Sequence, residues 1–196
     1  WAKRGPGGEL ADQALRGEYL SFQIGLWTPR ATLDHVQVAF SDLNGPDGAI
    51  LPASALTSFN QGGVDFTGKP FRTRVDVAKG RVQPLWMGLD IPVDAKPGVY
   101  RGAVTISADG LPAQSVPLAI TVDARKAVAH GDDDPSRLTR LRWLNSTLAQ
   151  DNSLVKPLTA VTVHGAQLGI LGRQVQLANS GLPAQIGKKH RNGWSR

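Results

Sequence analysis

Cysteine is absent from the 196 residues. That removes disulfides, thiolate zinc sites and cysteine nucleophiles together. It leaves the compartment open, because a sandwich of ordinary size needs no covalent staple. No apolar run approaches the roughly 18 residues of a membrane span. No leader pattern is visible, but the chain opens at Trp1 without a start methionine, and the N-terminus is expected to be cut. Histidine is sparse and scattered. His35, His130, His164 and His190 fall one per segment, none with a ligand-spaced partner on its own element, so no metal is expected. No Gly-x-Ser-x-Gly elbow and no phosphate-binding loop occurs, and no cofactor is expected.

The net charge of +6 invites a nucleic-acid reading that its distribution denies. Lys3 and Arg4 stand at one end, and Lys188, Lys189, Arg191 and Arg196 at the other. All 16 acidic residues lie between them and balance the remaining Lys and Arg. A nucleic-acid face needs clustered charge on a folded surface, so no nucleic-acid partner is expected.

What is present is turn chemistry and alternation. Gly 22 and Pro 13 supply the many turns that short-stranded β proteins need. Glu18–Trp27 alternates strictly, with Leu20, Phe22, Ile24 and Leu26 on one face and Tyr19, Ser21, Gln23 and Gly25 on the other. Leu33–Leu43 continues the pattern, and Asn44-Gly45-Pro46-Asp47-Gly48 reads as a turn. Phe71–Val77 and Val82–Ile91 read as strands, the second with Leu85, Met87, Leu89 and Ile91 facing one way and Trp86 and Asp90 the other. Pro84 demotes the start of that strand to an edge or a bulge. The clearest hairpin runs through Pro92–Val122, with Asp109-Gly110 as a type I′ turn. About seven strands with turns every 8–12 residues predict an immunoglobulin-like antiparallel β-sandwich over 18–122, after a frayed lead-in at 1–17.

Residues 123–136 are polar and turn-rich and read as a linker. Residues 137–187 differ in texture. Short strands at Thr159–His164, Gln167–Leu171 and Arg173–Ala178 predict the start of a second β-meander, too small to bury a core alone. Its faces at Val161/Val163 and Val175/Leu177 are expected to be poorly covered. After Ile186 a basic tail without period, 188–196, reads as a frame change or an artificial end.

Candidates for chemistry are few. Asp132-Asp133-Asp134 lacks calcium-loop spacing and reads as a solvated hinge. Asp65, Asp90, Asp94 and Asp151 have no pattern that would pair them for glycoside hydrolysis. Among the aromatics, Trp86 and Tyr100 are the candidates for a sugar-stacking platform. Arg137, Arg140 and Arg142, with Trp143, read as an interdomain surface, the guanidinium groups meeting carboxylates or backbone carbonyls.

Phe59–Phe71 (FNQGGVDFTGKPF), Val82–Pro92 (VQPLWMGLDIP), Ile91–Gly110 and Asp132–Asn152 (DDDPSRLTRLRWLNSTLAQDN) together resemble the N-terminal region of bacterial glycoside hydrolases similar to family 123. RLRWLNST is the most specific stretch. The resemblance implies an N-terminal β-sandwich followed by a separate catalytic barrel. There an adjacent Asp-Glu pair assists hydrolysis of a β-linked N-acetylhexosamine, whose acetamido group is the nucleophile. No such pair stands in this chain, so the resemblance carries over no catalytic residue. The expectation is a non-catalytic accessory region of a secreted or periplasmic enzyme, with its own catalytic domain as partner. The alternative is a self-standing carbohydrate-binding or adhesion module with a glycan as partner. A third reading is a structural domain pairing through an open strand edge.

Overall fold

Alternation in two strands sets the centre of the fold. In the computed structural model, which describes residues 7–65, 67–147, 153–154, 156–190 and 193–195, β2 (Tyr19–Trp27) and β9 (Val82–Asp90) run antiparallel, from Tyr19 opposite Asp90 to Trp27 opposite Val82. β6 (Leu56–Ser58) flanks β9 on its other side. The inward row Leu85, Met87 and Leu89 is fully buried, and Leu20 and Phe22 nearly so. Pro84 sits where β6 no longer runs beside β9. The Trp86 N–H points away from β2, to the Asn60 side chain at 2.6 Å. Pro84, two residues earlier on the same pleat, faces its missing donor to that same uncovered side, so no ladder bond is lost.

A second, six-stranded sheet supplies the opposing wall. β10 (Gly98–Ala108) and β11 (Leu111–Lys126) form its long hairpin. β3 (Gln37–Phe40), β4 (Leu43–Asn44) and β5 (Ile50–Leu51) extend it beyond β10. Tyr100, Val104 and Ile106 of β10 and Leu118, Ile120 and Val122 of β11 join the β2 and β9 row in one core cluster. Full burial of each such side chain contributes roughly 1.5–3 kcal/mol. A separate ribbon pairs β7 (Gly62–Val64) with β8 (Pro70–Arg72).

Several expectations give way here. The lead-in is not frayed throughout: β1 (Leu10–Arg16) pairs in parallel with β11. It escaped notice because a parallel edge strand buries little, and of its side chains only Ala14 is fully covered. Residues 1–6 lie outside the described residues. The strand expected over Phe71–Val77 shrinks to its first residues, leaving a Leu33–Val77 bridge and a Val36 N–H to Val75 carbonyl bond of 2.8 Å. The Asp109-Gly110 turn is not type I′, because positive φ occurs at Gly110 and not at Asp109. A register shift between Ile106 and Ala108 takes up the difference.

The boundary also moves. The first compact unit runs Trp1–Gln150 and the second Asp151–Arg196. The expected linker is partly strand, since β11 reaches Lys126, and residues 137–147 fold with the first unit. The second unit is a meander of β12 (Thr162–His164), β13 (Gln167–Ile170), β14 (Arg173–Leu177), β15 (Pro183–His190) and β16 (Gly193–Ser195). Its register lines Val163, Leu168, Val175 and Ile186 into one cross-strand row. Gln167, Gln176 and Gln185 form a row on the reverse. Val161 and Val163 are exposed, as a single layer with one apolar face requires. The basic tail does not break the period at Ile186: the backbone of β15 continues to His190 and pairs with β16. Arg191, Asn192 and Arg196 lie outside the described residues.

Candidate functional site: a strap across the outer face of the sheet

The segment that no sandwich pattern explains, residues 128–146, crosses the outer face of β2 and β9. It opens with Ala129 and His130, both at positive φ (46° and 60°), and turns again at Leu138 (φ 56°). A 3-10 segment, Thr139–Asn145, follows. Non-glycine residues held at positive φ persist where surrounding contacts over-determine them, and three contacts do so here.

The first is an ion pair between Arg137 and Glu18, whose side chain is 1% exposed. The Glu18 carboxylate also accepts the Leu15 N–H at 2.7 Å. The second is a fork between Arg142 and Asp132, both bonds 2.6 Å. The Thr139 hydroxyl donates to the same carboxylate at 2.7 Å, and Arg140 reaches the Asp132 carbonyl at 3.2 Å. The third is Asn145, whose Oδ1 accepts the Val64 N–H at 3.2 Å. A Cβ on Gly63 would lie 1.4 Å from that oxygen, so only glycine admits the Asn145 side chain there. Ser21 completes the seam by donating to the Leu138 carbonyl at 3.0 Å.

Beneath the strap, Tyr19 lies over β9. A Cβ on Gly88 would stand 2.2 Å from the tyrosine oxygen and 2.4 Å from its ring, so glycine at that position lets the ring sit flat on the strand. Burial pushes the Tyr19 hydroxyl pKa up, opposed in part by its bond to the Thr57 hydroxyl. At one end of the strap an open cleft of about 610 Å³ is lined by Tyr19, Thr57, Asp90, His130, Arg142 and Asn145, with Pro52 and Pro92 among its apolar walls.

Asp132 carries the electrostatic signature. The Arg142 guanidinium holds its carboxyl well below the usual carboxylate range; burial opposes this, and the Thr139 hydroxyl and the charge of Arg140 add to it. A depressed folded pKa contributes stability that is present above the unfolded value of about 3.9 and lost as pH falls through the folded value. Denaturant unfolding at pH 7 and pH 3 is therefore expected to show a smaller acid loss for Asp132→Asn than for the parent chain. An equal loss in both would separate Asp132 from the acid sensitivity.

The structure redistributes the residues singled out from sequence. The run Asp132-Asp133-Asp134 is not a solvated hinge throughout, because Asp132 is taken up by Arg142 and Thr139, and Asp134 accepts the Ser136 N–H and hydroxyl. Arg137, Arg140 and Arg142 do meet carboxylates and a carbonyl, but these partners belong to their own unit. Trp143 is exposed, its ring 5.7 Å from the Arg142 guanidinium carbon. Tyr100 cannot join a sugar platform: it is 1% exposed, with its hydroxyl on the Lys96 carbonyl at 3.0 Å. Trp86 is half-buried on the opposite, outer side. Asp151 lies outside the described residues. Glu18, Tyr19 and Asn145 were missed. A lone carboxylate before an alternating strand gives no sign that it will be buried.

Residues 57–108 match the glycoside hydrolase 123 N-terminal domain. The chain is similar to the N-terminal region of that family. The matched stretch holds Thr57, Gly63, Gly88 and Asp90, so it contributes the sheet side of the strap and cleft. Among solved structures, a family 123 glycoside hydrolase from Clostridium perfringens, studied for glycolipid glycan hydrolysis, is 21% identical with a TM-score of 0.53. The alignment covers 65% of this chain and 24% of that one. This chain thus spans about a quarter of that enzyme's length. The PapD-like domain 7 of human CEP192 aligns over 62% of this chain and 84% of its own at 12% identity, with a TM-score of 0.40. No curated protein sequence matches this one.

Proposed function

We propose that this chain is the non-catalytic N-terminal accessory region of a glycoside hydrolase similar to family 123. Its role is to support a catalytic domain acting on N-acetylhexosaminides. The family match at residues 57–108 is the observation that carries the reading. The reading brings with it a secreted or periplasmic location and a catalytic domain as partner, with Trp143 and the outer edge of the strap as the surface offered to it.

The immunoglobulin-like label belongs to the same proposal, and the topology supports it. The β2-β9-β6 sheet opposes the sheet built on the β10–β11 hairpin, a division into two layers like that of such sandwiches, with the parallel β1 making the second layer mixed where an antiparallel one was expected. Tyr100 adds a specific mark. Near the start of β10 its hydroxyl turns back to a carbonyl four residues upstream, the arrangement of a tyrosine corner.

The glycan-module alternative loses the two-ring platform on which it rested, since Tyr100 is core. The purified chain is expected to give no turnover of aryl N-acetyl-β-hexosaminides under conditions where a full-length relative is active. Measurable hydrolysis by homogeneous protein would overturn the non-catalytic reading.

A further inference from the structure

The cleft at the end of the strap is not explained by support of another domain. Asp90 is the carboxylate on its wall, and Asp132 stands behind that wall against Arg142. Asp132 is committed to Arg142, and that pairing neutralises the one guanidinium on the cleft wall. Asp90, at the end of β9 and opposite Tyr19, is exposed, and its carboxylate makes no hydrogen bond or close ion pair among the described residues, though its charge is felt by Arg142 and the Tyr19 hydroxyl. His130 is presented to the same cleft from a backbone held at positive φ. Asn145 spends its oxygen on the Val64 N–H, which leaves its amide NH₂ as a donor on the cleft wall. The Tyr19 and Thr57 hydroxyls, which can donate or accept, complete the polar set, and Pro52, Ala55 and Pro92 give apolar surface.

We propose that this cleft is a binding subsite for a neutral saccharide. Its groups match the needs of a hydroxyl-rich ring. A free carboxylate takes two hydroxyl donors, an amide donates in return, and proline and alanine surface meets the sugar's C–H face. Asp132, Arg142 and Asp90 together leave one negative charge at the cleft, which disfavours phosphorylated and acidic sugars. The site is distinct from the Trp86/Tyr100 pair. It does not rest on the accessory-region reading, because it would serve a free module and an enzyme alike.

The test is an amide-resolved NMR titration of the full chain with galactose, N-acetylglucosamine and lactose, and with glucuronate as the anionic counterpart. At least one neutral sugar is expected to bind with millimolar affinity and to shift the amides of Ala55, Thr57, Asp90 and Asn145. Asp90→Asn keeps the shape of an exposed strand end and is expected to weaken binding by about tenfold or more, the loss of a charge-assisted bond. Unchanged melting of that variant shows that the fold is kept. Trp86→Ala, outside the cleft, is expected to leave binding intact. The proposal is overturned if no neutral sugar shifts the cleft amides, if Asp90→Asn binds as the parent does, or if glucuronate binds as well as the neutral sugars.

Discussion

Tyr100→Ala is expected to destabilise the first unit by about 3–5 kcal/mol, the range for removing a large buried ring from a packed core. Tyr100 is 1% exposed and lies against Gly45 so closely that a Cβ there would be 2.3 Å from its ring. The Lys96 carbonyl loses its donor as well. For a unit of this size the loss corresponds to a melting shift of roughly 6–20 °C. Trp86→Ala, at a half-buried outer position, is expected to cost much less. Thermal unfolding of both variants settles which ring is structural. A Tyr100→Ala protein that melts like the parent would contradict the core assignment and reopen the surface reading of this residue.

Arg137→Met is expected to cost about 2–3 kcal/mol, below the 3–5 kcal/mol of a fully buried pair because the Arg137 side chain is 36% exposed. The loss comes from Glu18, left inside the fold with only the Leu15 N–H to hold its charge. Combining Glu18→Gln with Arg137→Met removes the stranded charge, so the double variant is expected to be more stable than the sum of the two single losses allows. Denaturant midpoints for the four proteins give that coupling. Additive losses would show that Arg137 acts on the strap without Glu18. Release of the strap has its own readout: cleavage by protease within residues 128–146 is expected to quicken in Arg137→Met while the β10–β11 hairpin stays protected.

The long central strands were legible because burial of one face imposes a period of two. β2, β9, β10 and β11 fall where alternation places them, and β12, β13 and β14 follow the same rule on a single layer, whereas β16 and the end of β15 fall in the tail read as aperiodic. Short and edge strands were not legible. β1 has one fully buried side chain, and β4 and β5 span two residues each, too few for a pattern. The strap was visible as an anomaly, and its arginines as seekers of carboxylates. Its place was misread, because polar, turn-rich composition describes a linker and a pinned crossing equally well.

Local chemistry alone determined that this chain is β-rich, lacks thiol chemistry and shows no catalytic motif, since these depend on residue type and short-range period. Its quoted segments already resembled family 123. Tertiary structure decided which charges are spent and which are free. Asp132 and Asp90 are the same residue type, one in a run of acids and one at the end of an apolar strand, and neither setting says whether the carboxylate will be paired. One is held by Arg142, ten positions away, and the carboxylate of the other accepts no hydrogen bond among the described residues, at the mouth of a cleft formed by β9, β6 and the strap. Tyr100 and Trp86 divide in the same way, one into the core and one to the outer face. Side-chain period predicts that strand faces alternate; only the opposing sheet decides which face is inside.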